Sequence, residues 1–332
     1  MSDITVLYGG QAWSNWMAYR IEQDLQRPAA AFSLEVRPPS SSPTPVTPGS
    51  VVEVQVLGQT VLWGRVDEVV RRWSADGLSL ELSGRDAGGL LVDASADPGW
   101  VWKDTNLSLI ASQVATYVGM VETPEVEVDV PVTAKVEPGE SCWDLVDRLV
   151  RAQGMRAWVA ENGHLVVSQF LTSGPASAEL RLRRSGSTNN IHELEVRRSS
   201  ADGASEVTVL AQADDDTNHA RFRGTWTDLE YPYSKPRVVV DDTVRSQDEA
   251  DARAGELGAE GRASRFEANA TIKGHVVTGT TPWACNTLVQ LEVEAEAISG
   301  LYLVAARTFI RDTQGGARTE LRLVDPQDFA SA

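Results

Sequence analysis

The chain has 332 residues, 42% of them aliphatic or aromatic and 23% charged, with a formal net charge of -17. That balance predicts a folded chain of about two domains and excludes disorder, while the acidic excess disfavours nucleic-acid backbones, whose affinity rests on Lys and Arg displacing counterions. No run approaches the roughly 18 apolar residues of a transmembrane helix, and Met1-Ser2-Asp3-Ile4 lacks the basic and then apolar order of a secretory leader, so neither membrane nor secretion is expected.

A first β module runs from about Ile4 to about Asp93. In it Val52, Val54 and Val56 alternate with Glu53 and Gln55, as a half-buried strand does. The run Val61-Leu62-Trp63-Gly64-Arg65-Val66 follows, and Arg71 to Gly77 predicts a hairpin into Leu78, Leu80 and Leu82, since Gly accepts the positive φ that such turns need. The cluster from Pro38 to Pro45 cannot sit inside a sheet and predicts an extended, exposed loop. Gly84-Arg85-Asp86-Ala87-Gly88-Gly89 reads as a tight exit from the sheet.

From Thr105 the period turns helical. Leu107, Ile110, Ala111, Val114, Ala115 and Val118 share a face, with Asp104 or Thr105 as N-cap and Gly119 as the stop. A short alternating strand is expected from Val126 to Val132. Pro138-Gly139-Glu140-Ser141 then opens a second amphipathic helix, capped by Ser141, with Trp143, Val146, Leu149 and Val150 inward and its end near Gly154. Asn162-Gly163 marks a hairpin between Ala157–Ala160 and His164–Val167. Beyond Gly174 the clearest strands are Glu206–Leu210 and Arg237–Val240, and Asp248–Ala263 forms an Ala-rich helix expected to lie on a sheet.

From about Phe266 to Asp325 the order of the first module returns. Val289, Leu291 and Val293 alternate with Gln290, Glu292 and Glu294, Leu301-Tyr302-Leu303-Val304 follows, and Ile310 to Gly316 leads into Leu321 and Leu323. The fold class is therefore mainly β with an α+β insertion, comprising two similar small β-barrel modules, a small α+β domain and an additional β region. The expected divisions are 1–98, 99–172, 173–264 and 265–332, the last completing the second barrel.

A search for chemistry assigns no catalytic, cofactor-binding or metal residue, and the chain is read as a non-enzyme. Asp214-Asp215-Asp216 lacks the alternation, central Gly and final Glu of an EF-hand loop and reads as a solvated loop. His164, His192, His219 and His275 lie too far apart in sequence for a zinc helix, and no phosphate loop or nucleophile elbow is present. Glu137, Glu140, Asp144 and Asp147 cluster at the second helix, where acids complement the helix dipole. Cys142 and Cys285 read as free thiols, in keeping with a reducing compartment. Of the ten tryptophans, Trp63, Trp143 and Trp158 read as core, while Trp13, Trp16 and Trp226 fit either a core or a subunit interface.

One ordered set of segments resembles a known family. It comprises Pro48-Gly49-Ser50-Val51-Val52-Glu53-Val54, Leu62-Trp63-Gly64-Arg65-Val66-Asp67-Glu68-Val69, Leu82-Ser83-Gly84-Arg85-Asp86 and Leu91-Val92-Asp93-Ala94-Ser95. Pro138-Gly139-Glu140, Gly154-Met155, Trp283 with Asn286-Thr287-Leu288-Val289, and Thr319-Glu320-Leu321-Arg322-Leu323-Val324 complete it. Together these are similar to the baseplate hub of Mu-like contractile phage tails, related in fold to larger myophage hubs and to the base of type VI secretion spikes. The resemblance implies a homotrimer at the centre of the virion baseplate, assembled in the host cytoplasm, whose paired modules make a pseudo-sixfold ring. The ring would join the tail tube protein to the central spike protein, contact baseplate wedge proteins and the tape measure protein, and leave a channel that DNA passes without specific binding. Two rivals remain. Val136 to Leu145 looks locally like the start of a LysM module, which would make the chain a cell-wall glycan-binding protein or hydrolase accessory, and a tail-like bacteriocin or another injection machine would use the same hub.

Overall fold

The computed structural model describes residues 4–9, 11–14, 16–36, 46–75, 77–120, 123–211, 222–241, 244 and 246–331. The proline-rich loop at 38–45, Asp76 of the first hairpin, Asp214-Asp215-Asp216 and His219 lie outside these residues.

Strands β1 (Ile4–Tyr8), β2 (Gln11–Trp13), β3 (Ala18–Asp24), β4 (Ala31–Val36), β5 (Val51–Val56), β6 (Gln59–Ser74) and β7 (Gly77–Asp86) form the first module, ending in helix α1 (Gly88–Asp93). The insertion holds β8 (Val101–Asn106), α2 (Leu107–Tyr117), β9 (Glu125–Val126), β10 (Pro131–Lys135), α3 (Cys142–Arg151), β11 (Arg156–Val159) and β12 (Leu165–Ser168). After it come β13 (Ala178–Leu182), β14 (Ile191–Arg198), β15 (Glu206–Ala211), β16 (Phe222–Thr227), β17 (Pro236–Val240) and α4 (Gln247–Ala263). The chain closes with β18 (Phe266–Lys273), β19 (Val276–Thr278), β20 (Thr281–Pro282), β21 (Leu288–Val293), β22 (Ile298–Asp312), β23 (Gly316–Val324) and α5 (Pro326–Ser331).

The fold is mainly β, as the alternating runs predict, but the modules are not two closed barrels. Among the described residues, one 13-stranded sheet runs through both in the order β14-β18-β23-β22-β3-β4-β7-β6-β5-β1-β2, with β13-β21 branching from β22. The branch is possible because β22 is long: its first half pairs with β21 and its second half with β3. The second module also draws β13 and β14 from before α4, which no local pattern marks. A single apolar core binds the two modules, with Ile21, Leu34, Val54 and Leu82 from the first and Leu291, Phe309 and Leu321 from the second.

The internal repeat is detailed. In the first module the strands run β3-β4-β7-β6-β5, and in the second β14-β18-β23-β22-β21. Aligning Val52 with Val289 through the β5–β6 and β21–β22 ladders sets Arg65 against Leu303. On that alignment the bulge between Val66 and Glu68 coincides with the bulge between Val304 and Ala306. A bulge re-aims a strand at a fixed residue, so its match gives the register independently of the apolar pattern. Helices α1 and α5 also correspond. Asp86 Oδ1 accepts the Gly88 N–H at 2.9 Å, and Asp325 Oδ1 accepts the Gln327 and Asp328 N–H groups at 2.9 and 3.1 Å.

In the insertion, α2 buries Leu107, Ile110, Ala111, Val114 and Ala115 as its spacing predicts, and Gly119 ends it at φ +77°. Its cap differs from expectation: Asn106 holds the N-cap position, Thr105 lies in β8, and Asp129 from a distant loop accepts the Ser108 N–H at 2.9 Å. That bond also holds the Asp129 carboxyl below its usual range. The expected strand Val126–Val132 is broken into the end of β9 and the start of β10, because β9 pairs with β12 while β10 pairs with β8. Helix α3 is capped by Ser141 Oγ, which accepts the Asp144 N–H at 3.0 Å. Its buried face carries Cys142, Leu145, Val146, Leu149 and Val150, and Trp143 is only half-buried. The Asn162-Gly163 hairpin forms, although the loop is closed more widely, by Ala160 and His164. Helix α4 lies on β15 and β16, buried through Ala250, Ala254, Leu257, Gly258 and Gly261.

Candidate assembly surface

The residues singled out for chemistry are drawn into structural roles. Glu140 accepts Arg148 Nε and Nη2 at 2.7 and 2.9 Å, and Asp147 pairs with Arg151 at 2.8 Å. Burial works to raise the Glu140 carboxyl, but the Arg148 guanidinium and the Glu137 N–H together hold it below its usual range. Among the described residues no three His, Cys, Asp or Glu side chains gather as metal ligands would, and no helix is long and apolar enough to cross a membrane. Both cysteines are free thiols, and burial pushes Cys285 up to about 12.

Two buried polar groups mark the joint between the modules. Tyr19 on β3 lies 2.7 Å from His275 Nε2, His275 Nδ1 lies 3.1 Å from Thr319 Oγ1, and Thr319 donates to the Gly274 carbonyl at 2.6 Å. Since the Thr319 proton goes to Gly274, His275 donates to Thr319 from Nδ1. Arg307 on β22, 1% exposed, donates to Val61 O of the first module at 2.7 Å and to Gln23 Oε1 at 3.1 Å. Its guanidinium also lies over the Phe309 ring. These contacts accompany the antiparallel ladder that joins β3 to β22, from Ala306↔Asp24 to Arg311↔Tyr19.

The sheet has one apolar face, on the core, and one polar face. Along β3, Tyr19, Ile21 and Gln23 are buried while Arg20, Glu22 and Asp24 are not. The same alternation puts Ser33 and Glu35 of β4, Ser79, Glu81 and Ser83 of β7, Arg318, Glu320 and Arg322 of β23, and Asn269, Thr271 and Lys273 of β18 on the polar side. Opposite charges are interspersed there: Arg20 pairs with Glu22 at 3.1 Å, Arg72 with Glu81 at 2.7 Å and Arg318 with Asp312 at 2.6 Å. The insertion touches residues of both faces: Gln23, on the apolar face, donates to Val159 O at 3.1 Å, whereas Trp63, which alternates with the buried Leu62 and Gly64 and so stands on the polar side, contacts Gly163 and joins the core of the insertion.

Two stretches of backbone edge stand out because their counterparts are paired. The second half of β22 carries β3, whereas the matching half of β6 beyond its bulge pairs with β7 alone among the described strands. Strand β3 is flanked on both sides, whereas its counterpart β14 pairs with β18 alone among the described strands. Trp73, at the end of this β6 edge, is 77% exposed. The sequence places it in a hairpin, and only the topology shows that this part of β6 has β7 as its one partner among the described strands. The tryptophans whose place was open divide: Trp16 is buried at 5%, Trp13 packs beside it, and Trp226 is half-buried beneath α4 with Arg262 over its ring. Trp63, Trp143 and Trp158 are half-buried at the margins of apolar clusters.

Comparison with known proteins follows this architecture along the chain. Residues 3–86 match the N-terminal domain of Mu phage baseplate assembly protein GpP-like proteins, and 88–169 match the second domain of baseplate hub protein gp44-like proteins. Residues 204–257 match the third domain of tail protein NMB1110-like proteins, and 260–326 a tail protein C-terminal domain. The stretch that looks like a LysM start lies within the hub second domain. The chain is 25% identical to the baseplate hub protein gp44 of Escherichia phage Mu, over 98% of this chain and 88% of that one. The tail protein from Neisseria meningitidis MC58 superposes with a TM-score of 0.86 at 26% identity, covering 99% of this chain and 98% of its own. A 43 kDa tail protein of prophage MuSo2 from Shewanella oneidensis shares the fold at a TM-score of 0.87 and 24% identity, covering 98% and 99%. The fold extends to E. coli c3393, a component of the type VI secretion system, with a TM-score of 0.59 and 9% identity over 96% of this chain and 76% of that one. With domain matches in order from residue 3 to residue 326 and full-length likeness in both sequence and fold, the chain belongs to the family of Mu-like phage baseplate hub proteins.

Proposed function

We propose that this hub works as a homotrimer whose six modules form a pseudo-sixfold ring, seated between the tail tube and the central spike and leaving a channel for DNA. The observation that carries the reading is the internal repeat. The modules share strand order, bulge and terminal helix, and β3 on β22 already sets them side by side. A head-to-tail joint of this kind generates a ring when its rotation closes. Three copies with two modules each then present six near-equivalent faces to a sixfold tube.

The polar face supports a channel lining, since alternating acids and bases among Ser, Thr and Asn give passing phosphates no continuous basic track. In this reading the insertion and its helices sit on the periphery, where wedge proteins would reach them, and the tape measure protein would meet the ring rim. The role is structural and assigns no catalytic step. Size-exclusion with light scattering on the full chain and a reconstruction of the assembled tail tip test it: a threefold ring is expected, and a hub that stays monomeric within the assembled tail would overturn it. The likeness to the c3393 protein favours one second reading, the same ring in a tail-like bacteriocin or another injection machine, which the neighbouring genes distinguish.

A further inference from the structure

We infer that the β11–β12 hairpin of the insertion and the joint between the two modules are coupled through Arg307, so that loosening the hairpin loosens the β3–β22 ladder. The coupling is a property of the single chain and holds whether or not a ring closes. Arg307 carries it because its charge is buried where three parts of the chain meet. Its Nη2 donates to the Val61 carbonyl of β6 at 2.7 Å and to Gln23 Oε1 of β3 at 3.1 Å. The register of β5 on β6 shifts at Val61, which leaves that residue without a partner across the ladder. Glu161, in the turn of the hairpin, brings Oε1 to 3.9 Å from the same nitrogen, and among the described residues it is the one carboxylate within 4.0 Å of the guanidinium. Gln23 closes the circuit, since the amide that accepts from Arg307 also donates to Val159 O of β11. Val159 and Glu161 thus hold the joint at two points.

The energetics make this contact more than an attachment. Nε and Nη1 of Arg307 are buried with no hydrogen-bond partner among the described residues, so the cation has no second acceptor to turn to. A buried charge stripped of its counter-charge is costly. Hydrating it requires the neighbouring contacts to give, and those contacts are Val61 and Gln23, by which Arg307 ties β22 to the first module. The face of the guanidinium rests on Phe309, which pairs with Ile21 within the β3–β22 ladder. The repeat itself needs no cation here: the aligned bulges put Val69 at the matching position of β6. The charge stands in the copy that Glu161 reaches, which links it to the insertion rather than to the sheet.

Hydrogen exchange on the full chain, with thermal melting to confirm folding, tests the coupling. Glu161→Gln is expected to raise exchange roughly tenfold both in β11–β12 and in the β3–β22 ladder, residues 19–24 and 306–311, while the β4–β7 ladder keeps the parental rate. Glu125→Gln, a neutralisation on β9 of the same small sheet, should leave the β3–β22 ladder unchanged. In an Arg307→Met background there is no cation to strand, and adding Glu161→Gln should cause no further rise in that ladder. The single variant decides whether coupling exists, and the double variant decides whether Arg307 carries it. A β3–β22 ladder indifferent to Glu161→Gln, or a rise shared equally by the β4–β7 ladder, overturns the coupling. An undiminished rise in the Arg307→Met background overturns the route.

Discussion

Asp86 shows how one side chain ties a local turn to the stability of the sheet. It ends β7, is 5% exposed, and accepts the Gly88 N–H at 2.9 Å as the chain turns into α1. Burial dominates its titration and raises it to about 7 against the pull of its N–H partners and Arg85, compared with about 3.9 for a free aspartate. The folded state therefore holds the proton more tightly than the unfolded chain. Stability from this group is complete below about pH 4 and is lost as pH rises through about 7, a loss on the order of a few kcal/mol. Thermal midpoints measured from pH 4 to 8 should fall across that window, and Asp86→Asn, which keeps an acceptor for Gly88, should flatten the fall. An unchanged profile in the variant would mean that another group sets the pH dependence.

At the scale of elements, α4 illustrates packing by absence of side chain. Gly258 lies against Trp226 of β16, where an added Cβ would fall 2.1 Å from a ring carbon, and Gly224 of β16 lies under Ala250 of the helix. These small residues let the helix approach the sheet closely, which explains why an Ala-rich segment of low hydrophobicity is stable there. Gly255, on the same helix, has nothing within 4 Å of its would-be Cβ. Gly258→Ala should thus destabilise by about 1–3 kcal/mol through overpacking, and Gly255→Ala should stabilise by about 0.5–1 kcal/mol through helix propensity. Urea unfolding of both variants checks the pair, and equal effects would show that the helix is not held at this distance. The cap of α2 makes the complementary point. Its acceptor, Asp129, is contributed by a loop about twenty residues away and has no signature in the local sequence.

For the whole molecule, the polar face is the feature with the plainest consequence. If it lines the bore, its alternation of charge is what keeps DNA from sticking. Converting Glu22 and Glu320, neighbours across Thr308 on this face, to Lys should create DNA binding that weakens steeply with salt, since each phosphate neutralised releases counterions. Fluorescence anisotropy with duplex DNA should detect it in the double variant and find none in the parent. Parent protein that binds as tightly as the variant would contradict the lining. Thermal melting guards against loss of fold, as Arg20 pairs with Glu22.

The periodicities were enough to identify the repeated β modules, the two amphipathic helices with Ser141 as a cap, the Asn162-Gly163 hairpin and the helix laid on a sheet, because burial face, capping oxygen and turn glycine act over a few neighbouring residues. What only the tertiary structure decided is which strands meet. That β3 joins β22 and that β13 and β14 serve the second module are pairings between residues far apart in the chain. Strands with alternating patterns are interchangeable as partners until the shared core and the matched bulges select one register. The candidate assembly surface was therefore present in the sequence only as ordinary strands, and the exposure of Trp73 is a fact of the tertiary structure.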